Sequence, residues 1–302
     1  MLIPCFNEAL TVKKVVEDFR KQLPHAVIYV YDNNSTDDTA AIARAAGATV
    51  RSEKRQGKGF VVASMFRDID ADIYVMVDGD DTYPAEQVSS LTDPIRHGCA
   101  DMTVGNRLSE FGDASFRSVH VAGNHLVVRT VNWLFGSHLQ DIMSGYRAFG
   151  RQFVHDVPIV SRGFEIETEM TLQALYRDLV VVEVPVRYGV RPEGSFSKLR
   201  TYRDGARVVV KIVDIFKAYR PLLFFGLIAL ALAVVGVGLG TIPVVGFIRT
   251  GKVERFPTAI LASGLVIMAM LSAVCGTVLD GFNHRLREMA ELVLRANGKP
   301  RP

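Results

Sequence analysis

The chain changes character near residue 195. Up to about residue 190, short apolar runs alternate with longer stretches of helical periodicity. Leu2–Ile3, Val27–Tyr31, Thr49–Arg51, Ile73–Val77 and Met102–Gly105 read as strands. Lys13–Gln22, Thr36–Ala46, Gly59–Ile69, Ala85–Arg96 and Val119–Phe135 read as helices, and Val180–Tyr188 as a later strand. Regular βα alternation predicts a mostly parallel sheet covered by helices on its faces. Beyond it the pattern becomes apolar on all sides. No charged residue occurs from Pro221 to Ile248, and none from Phe256 to Leu279. Each run exceeds the ~20 residues a helix needs to cross a bilayer's hydrocarbon core. Gly236 and Gly240 form a GxxxG pattern that can pack two such helices together. Between the two regions, residues 204–219 place Val208, Val209, Ile212, Ile215, Phe216 and Tyr219 near one helical stripe. That amphipathic pattern suits a helix lying on a membrane, or equally one covering the domain; its position before an apolar helix favours the membrane.

Charge follows the same division. Residues 1–194 hold 20 Lys+Arg against 26 Asp+Glu, a net of −6. Residues 195–220 hold 7 against 2 (+5), and residues 221–302 hold 8 against 4 (+4). The globular part is acidic and lacks the basic face that nucleic acid requires. The basic collar beside apolar sequence points instead to a lipid bilayer. Basic residues flank both ends of the apolar hairpin, which by the positive-inside rule places the N-terminal domain and C-terminus in the cytoplasm at the inner membrane. Arg249, Lys252 and Arg255 in the connecting loop pull the other way. The opening residues carry no signal-peptide pattern. Three well-separated cysteines, Cys5, Cys99 and Cys275, support neither a disulfide framework nor a zinc site.

The chemistry gathers where the predicted strands end. Asp32-Asn33-Asn34-Ser35 follows the second strand, Asp78-Gly79-Asp80-Asp81 the fourth and Gly105-Asn106-Arg107 the fifth. Open α/β sheets bind ligands outside the carboxyl ends of their strands. Each cluster alone also fits a helix cap or turn. Asp78 and Asp80, one residue apart, offer hard oxygen ligands suited to Mg²⁺ or Mn²⁺. No P-loop and no GxGxxG after a strand is present, which argues against a P-loop NTPase and a dinucleotide site.

In order along residues 2–198 stand IPCFNE (Ile3–Glu8), DNNSTDDT (Asp32–Thr39), GKG (Gly57–Gly59), DGDD (Asp78–Asp81), GNR (Gly105–Arg107), DIMSGYRAF (Asp141–Phe149), GFEIE (Gly163–Glu167) and RPEGSFSK (Arg191–Lys198). The set resembles family 2 GT-A glycosyltransferases, in particular the polyprenyl-phosphate branch related to dolichol-phosphate mannose synthase. The resemblance implies a GT-A (Rossmann-like) domain over 1–198, a juxtamembrane helix over 199–220, a transmembrane hairpin over 221–280 and a cytoplasmic tail over 281–302. It implies transfer, with inversion, of one sugar from a nucleotide-diphosphate donor of the UDP-glucose or GDP-mannose type to undecaprenyl or dolichyl phosphate.

By the same resemblance, Pro4, Glu8 and Asp32 line the nucleoside pocket. Asp78 contacts the nucleotide and shares the metal with Asp80, the main ligand. Lys58 and Arg107 lie near the phosphates. Arg117, Arg191 and Lys198 hold the acceptor phosphate, and Asp141 sits at the reacting centre as general base or as electrostatic orienter. Thr82 stands where some members carry a Gln ligand. Glu165, Glu167 and Glu169 at a helix start fit acids that favour the helix dipole, while the resemblance makes Glu165 and Glu167 the pair of interest. Members usually begin several residues before the IPCFNE segment, so the expectation is an upstream start or a short first strand. Other acceptors, such as a diphospho-lipid glycan or a growing polysaccharide, and a catalytically silent membrane scaffold stay open, as does the formation of a homo-oligomer.

Overall fold

The computed structural model describes residues 1–108, 118–163, 165–192, 210, 213–214, 216–252 and 255–296. It falls into two compact units, Met1–Ala206 and Arg207–Pro302.

The first unit is a seven-stranded sheet. Its strands are β1 (Leu2–Cys5), β2 (Tyr29–Asp32), β3 (Thr49–Ser52), β4 (Ile73–Met76), β5 (Met102–Asn106), β6 (Arg147–Gly150) and β7 (Val181–Pro185), in the order β3-β2-β1-β4-β6-β5-β7. All neighbours run parallel except β6, which is antiparallel to both β4 and β5. Successive residues of each strand enter opposite faces. Ile3, Val30, Val75 and Ala148 join one core with Val12, Val16 and Phe19 of α1 (Val12–Gln22) and Leu91 of α4 (Val88–Arg96). Leu2, Tyr31, Met76 and Phe149 join the other, against Val62 and Met65 of α3 (Lys58–Asp68), Phe153 of α6 (Arg151–Asp156) and Met170 of α7 (Ile166–Tyr176). Among the described residues this unit also holds the helices α2 (Thr39–Ala45) and α5 (Ser118–Phe135) and a 3-10 turn at Ala85–Gln87.

Two differences from the sequence reading matter. The strand β6 is absent from it. Its four residues, RAFG, begin with an arginine and show no alternation, yet all but the last are buried, because β6 closes the gap between β4 and β5. The strand expected over Val180–Tyr188 shortens to β7, whose parallel pairing with β5 ends at Asn106↔Pro185.

The second unit holds α8 (Pro221–Thr250) and α9 (Phe256–Ala296). Spans of both, Pro221–Thr250 and Phe256–Leu286, are long and apolar enough to cross a membrane, with mean hydropathies of 2.8 and 2.2. Gly251 ends α8 in the left-handed region at φ 69°. Gly236 and Gly240 lie on the contact face: a Cβ on the first would sit 3.1 Å from Leu265, and one on the second 3.5 Å from Ala262. The Ser272 hydroxyl donates across the pair to the Phe225 carbonyl at 3.0 Å. Most of the amphipathic segment 204–219 lies outside the described residues; Val210, Val213, Asp214 and Phe216–Tyr219 are helical.

Candidate active site

The loops after β1, β2 and β3 are stitched into one surface. Asn7 and Asn34 both adopt positive φ (54° and 61°), which asparagine tolerates better than most residues. The Asn7 amide N–H donates to Ser35 Oγ at 2.9 Å, and Asn7 Oδ1 accepts from the Thr36 N–H at 2.8 Å. Glu8, at the foot of α1, is buried and donates its N–H to Thr39 Oγ1 at 2.8 Å. Pro4 lies opposite Tyr31 in the β1–β2 ladder. At the centre of this surface is Asp32. Its Oδ1 is buried and has no hydrogen-bond partner among the described residues. A buried carboxylate oxygen left unpaired costs about 1–3 kcal/mol or more, a cost that a bound donor would remove.

Glu53 braces the next loop. Its carboxylate accepts from the Arg55 amide (2.8 Å) and guanidinium (2.9 Å) and from the Ser64 hydroxyl. Arg55 above all, with Ser64, holds its pKa down at about 2 against the cost of burial. The stabilisation is therefore present above the unfolded value near 4.5 and is lost as pH falls from there through about 2. Glu53→Gln is expected to cost about 1–2 kcal/mol at pH 7. Thermal unfolding of the full chain in detergent at pH 7 and pH 4 checks it: the gap from wild type narrows at the lower pH.

The DGDD segment leaves the end of β4. Asp78 Oδ1 lies 2.5 Å from Lys58 Nζ, and Lys58 also pairs with Glu167 of α7. Burial alone would lower the lysine's pKa, but the two carboxylates outweigh it and raise the value. Asp80 is buried. Its Oδ2 lies 2.5 Å from an Arg191 guanidinium nitrogen, and its Oδ1 accepts from Thr82 Oγ1 at 2.6 Å. Asp81 does not join them. It turns away at φ 59° and pairs with Lys14 at 2.7 Å, so the third acid adds nothing to the cluster's ligands. Close approach explains two glycines: a Cβ on Gly145 would strike the Asp78 carboxylate, and one on Gly59 the Ser161 carbonyl.

Mg²⁺ or Mn²⁺ fits this donor set. Burial, then the neighbouring charge of Asp78, pushes the Asp80 pKa up, a load that a bound cation relieves. Lys58 and Arg191 offset the pair only in part, because Lys58 is shared with Glu167. Among the described residues no group of three or more His, Cys, Asp or Glu converges. Two carboxylates suit an ion that keeps water and takes its other oxygens from a substrate phosphate.

The third cluster joins GNR to DIMSGYR. Asp141 is completely buried and accepts from Arg107 Nε at 2.7 Å, Nη2 at 2.9 Å and the backbone N–H at 3.2 Å, and from the Met143 N–H at 3.2 Å. The Arg107 guanidinium lies 5.3 Å from the Tyr188 ring centroid. The structure thus brings Lys58, Asp78, Asp80 and Arg191 together and pairs Arg107 with Asp141. Arg117 and Lys198 lie outside the described residues. Of the pair Glu165 and Glu167 that the resemblance singles out, Glu167 joins the site through Lys58, a partner the sequence did not supply; Glu169 is likewise occupied, accepting the Ser161 N–H at 2.7 Å.

Residues 1–157 match the family model described as "Glycosyl transferase family 2". The chain is 35% identical over 240 residues to Glycosyltransferase AglJ of Haloferax volcanii, covering 79% of this chain and 78% of that one. It is 29% identical over 210 residues to the Dolichyl-phosphate hexose transferase of the same organism, covering 70% and 90%. Its fold is similar to that of Mycobacterium tuberculosis glucosyl-3-phosphoglycerate synthase in complex with Mn²⁺, UDP-glucose and phosphoglyceric acid, with a TM-score of 0.58 at 20% identity over 72% of this chain and 78% of that one.

Proposed function

Because this chain belongs to glycosyl transferase family 2, we propose that it moves one hexose from a nucleotide-diphosphate sugar to a polyprenyl phosphate at a membrane surface, with inversion. The observation that carries the lipid acceptor is the pair of apolar helices, α8 and α9, that follow the transferase domain. A relative whose name specifies dolichyl phosphate as acceptor supports the same class. In this reading residues 1–198 are the transferase domain and 199–220 lie at the bilayer surface. Residues 221–280 span the inner membrane, and the domain and the tail 281–302 face the cytoplasm.

The nucleoside sits on the surface formed by Pro4, Glu8 and Asp32, with a base or ribose donor completing Asp32 Oδ1. Asp78 and Asp80 hold Mg²⁺ or Mn²⁺, which when bound stabilises the charge developing on the departing diphosphate. Lys58 is fixed by Asp78 and Glu167 and adds positive potential beneath that diphosphate. Thr82 keeps the Asp80 carboxylate in one rotamer. The acceptor is an anion at neutral pH and needs positioning more than deprotonation. Arg191, with Arg117 and Lys198, supplies the cationic groups for it, the guanidinium fork matching a phosphate.

Asp141 acts as orienter rather than base. Both its oxygens are occupied by donors, three of them from Arg107, leaving the carboxylate poorly placed to take a proton. It aims the Arg107 guanidinium toward the reacting phosphates. Matched assays with polyprenyl phosphate and the free polyprenol of equal chain length test the acceptor. Sugar is expected on the phosphate alone; equal transfer to the alcohol would require a base and would overturn this reading.

A further inference from the structure

The segment that carries Asp141 is gripped from two sides by side chains of opposite charge. On one side Glu183 of β7 accepts its N–H groups. The Gln140 N–H lies 2.8 and 2.9 Å from the two Glu183 oxygens, and the Asp141 N–H lies 2.7 Å from Oε1. On the other side Arg147 of β6 donates to its carbonyls. Nη2 reaches Ile142 O at 2.6 Å and Nε reaches Ser144 O at 2.8 Å. The remaining fork nitrogen, Nη1, donates to Thr171 Oγ1 of α7 at 2.9 Å. The Tyr83 hydroxyl accepts the Gly145 N–H at 3.1 Å.

This anchoring is expensive. Arg147 is fully buried, and burial lowers its pKa to about 10. Burial likewise raises that of Glu183. Buried charges are weak sources of net stability, and an apolar side chain would fill such space at lower cost. What they supply is definition of a non-repetitive backbone. The segment is neither strand nor helix up to Tyr146, yet its Asp141 meets Arg107 through two side-chain contacts within 2.9 Å. A shift of ~1 Å in such a group can cost ~100-fold in rate.

We propose that Glu183 and Arg147 are positioning residues for transfer, clamping residues 140–144 so that Asp141 holds Arg107 in its working orientation. The inference rests on the role given to Asp141 above. Glu183 and Arg147 act through that pair and do not themselves contact the substrates.

The test is a double-mutant cycle in the full chain, purified in detergent and assayed with polyprenyl phosphate and the nucleotide sugar that wild type turns over. Glu183→Ala is expected to lower kcat by about 10–100-fold with the donor KM within about twofold of wild type. Glu183→Gln keeps one acceptor oxygen, which serves both N–H groups, but sets its NH2 near the Gln140 N–H in place of the second oxygen; it is expected to lose clearly less kcat than Glu183→Ala. In an Asp141→Asn background, Glu183→Ala is expected to add less than about twofold, since its target is already lost. Arg147→Lys keeps the charge without the fork and is expected to follow Glu183→Ala; if it does not fold, the Glu183 series decides. Full multiplication of the Glu183→Ala and Asp141→Asn losses would overturn the clamp. So would a Gln variant as impaired as the Ala variant, or wild-type kcat in Glu183→Ala beside an inactive Asp141→Asn. Wild-type turnover in Asp141→Asn itself would instead remove the role given to Asp141.

Discussion

Asp80→Asn is expected to lower sugar transfer by at least about a thousandfold while leaving the protein folded. The carboxylate is buried beside Asp78, and that burial and proximity raise its pKa; the amide escapes this cost and gives up the ion pair with Arg191, whose side chain is partly exposed to water. The amide still accepts from Thr82, whose hydroxyl lies 2.6 Å from Oδ1. What disappears is the hard anionic ligand. Three measurements separate the outcomes: thermal unfolding, Mn²⁺ binding by electron paramagnetic resonance, and turnover. The expected pattern is an unfolding temperature within a few degrees of wild type, weakened Mn²⁺ binding in the presence of nucleotide, and lost transfer. Wild-type Mn²⁺ affinity in the variant would place the metal elsewhere.

The second large effect is at Asp141. Asp141→Asn replaces one acceptor oxygen by a donor, which would face an Arg107 nitrogen now 2.7 or 2.9 Å away. The fork opens, and a loss of about 100–1,000-fold in kcat is expected. Orienter and base make different predictions for Arg107→Lys. Lysine keeps the charge but cannot make the bidentate contact. If Asp141 works by aiming Arg107, the lysine variant falls nearly as far, and combining the two changes adds little. If Asp141 removes a proton, Arg107→Lys retains most of its rate and the two losses multiply.

Much of this arrangement was legible in the sequence because it depends on local signals. Polar clusters at the ends of β2, β4 and β5 follow directly from βα alternation. The two charge-free runs declare α8 and α9 by length alone. The DGDD spacing shows two acids facing one place, though not that Asp81 turns to Lys14. Long-range pairings were hidden. Nothing near Lys58 in sequence announces Glu167, 109 residues away, and the resemblance that singles out Glu165 and Glu167 names no partner for them until α7 packs on α3's amino end. The strand β6 was missed because a buried arginine opens it. Arg147 reads as a motif or sheet residue and Glu183 as part of the strand over Val180–Tyr188; neither position announces the backbone groups its side chain holds. Side chains that satisfy an irregular backbone leave no periodic trace.

The account's central claim is transfer of a single sugar to a lipid monophosphate. Its most direct test is to incubate the detergent-purified chain with Mg²⁺ or Mn²⁺, a polyprenyl phosphate and a panel of nucleotide sugars, and to weigh the lipid products by mass spectrometry. The predicted result is a metal-dependent polyprenyl monophosphate carrying one hexose, formed from one donor of the panel and absent with Asp80→Asn. Release of nucleotide diphosphate without any sugar on the lipid, from a folded protein in which Asp80→Asn abolishes that release, would contradict it and assign the site to another acceptor.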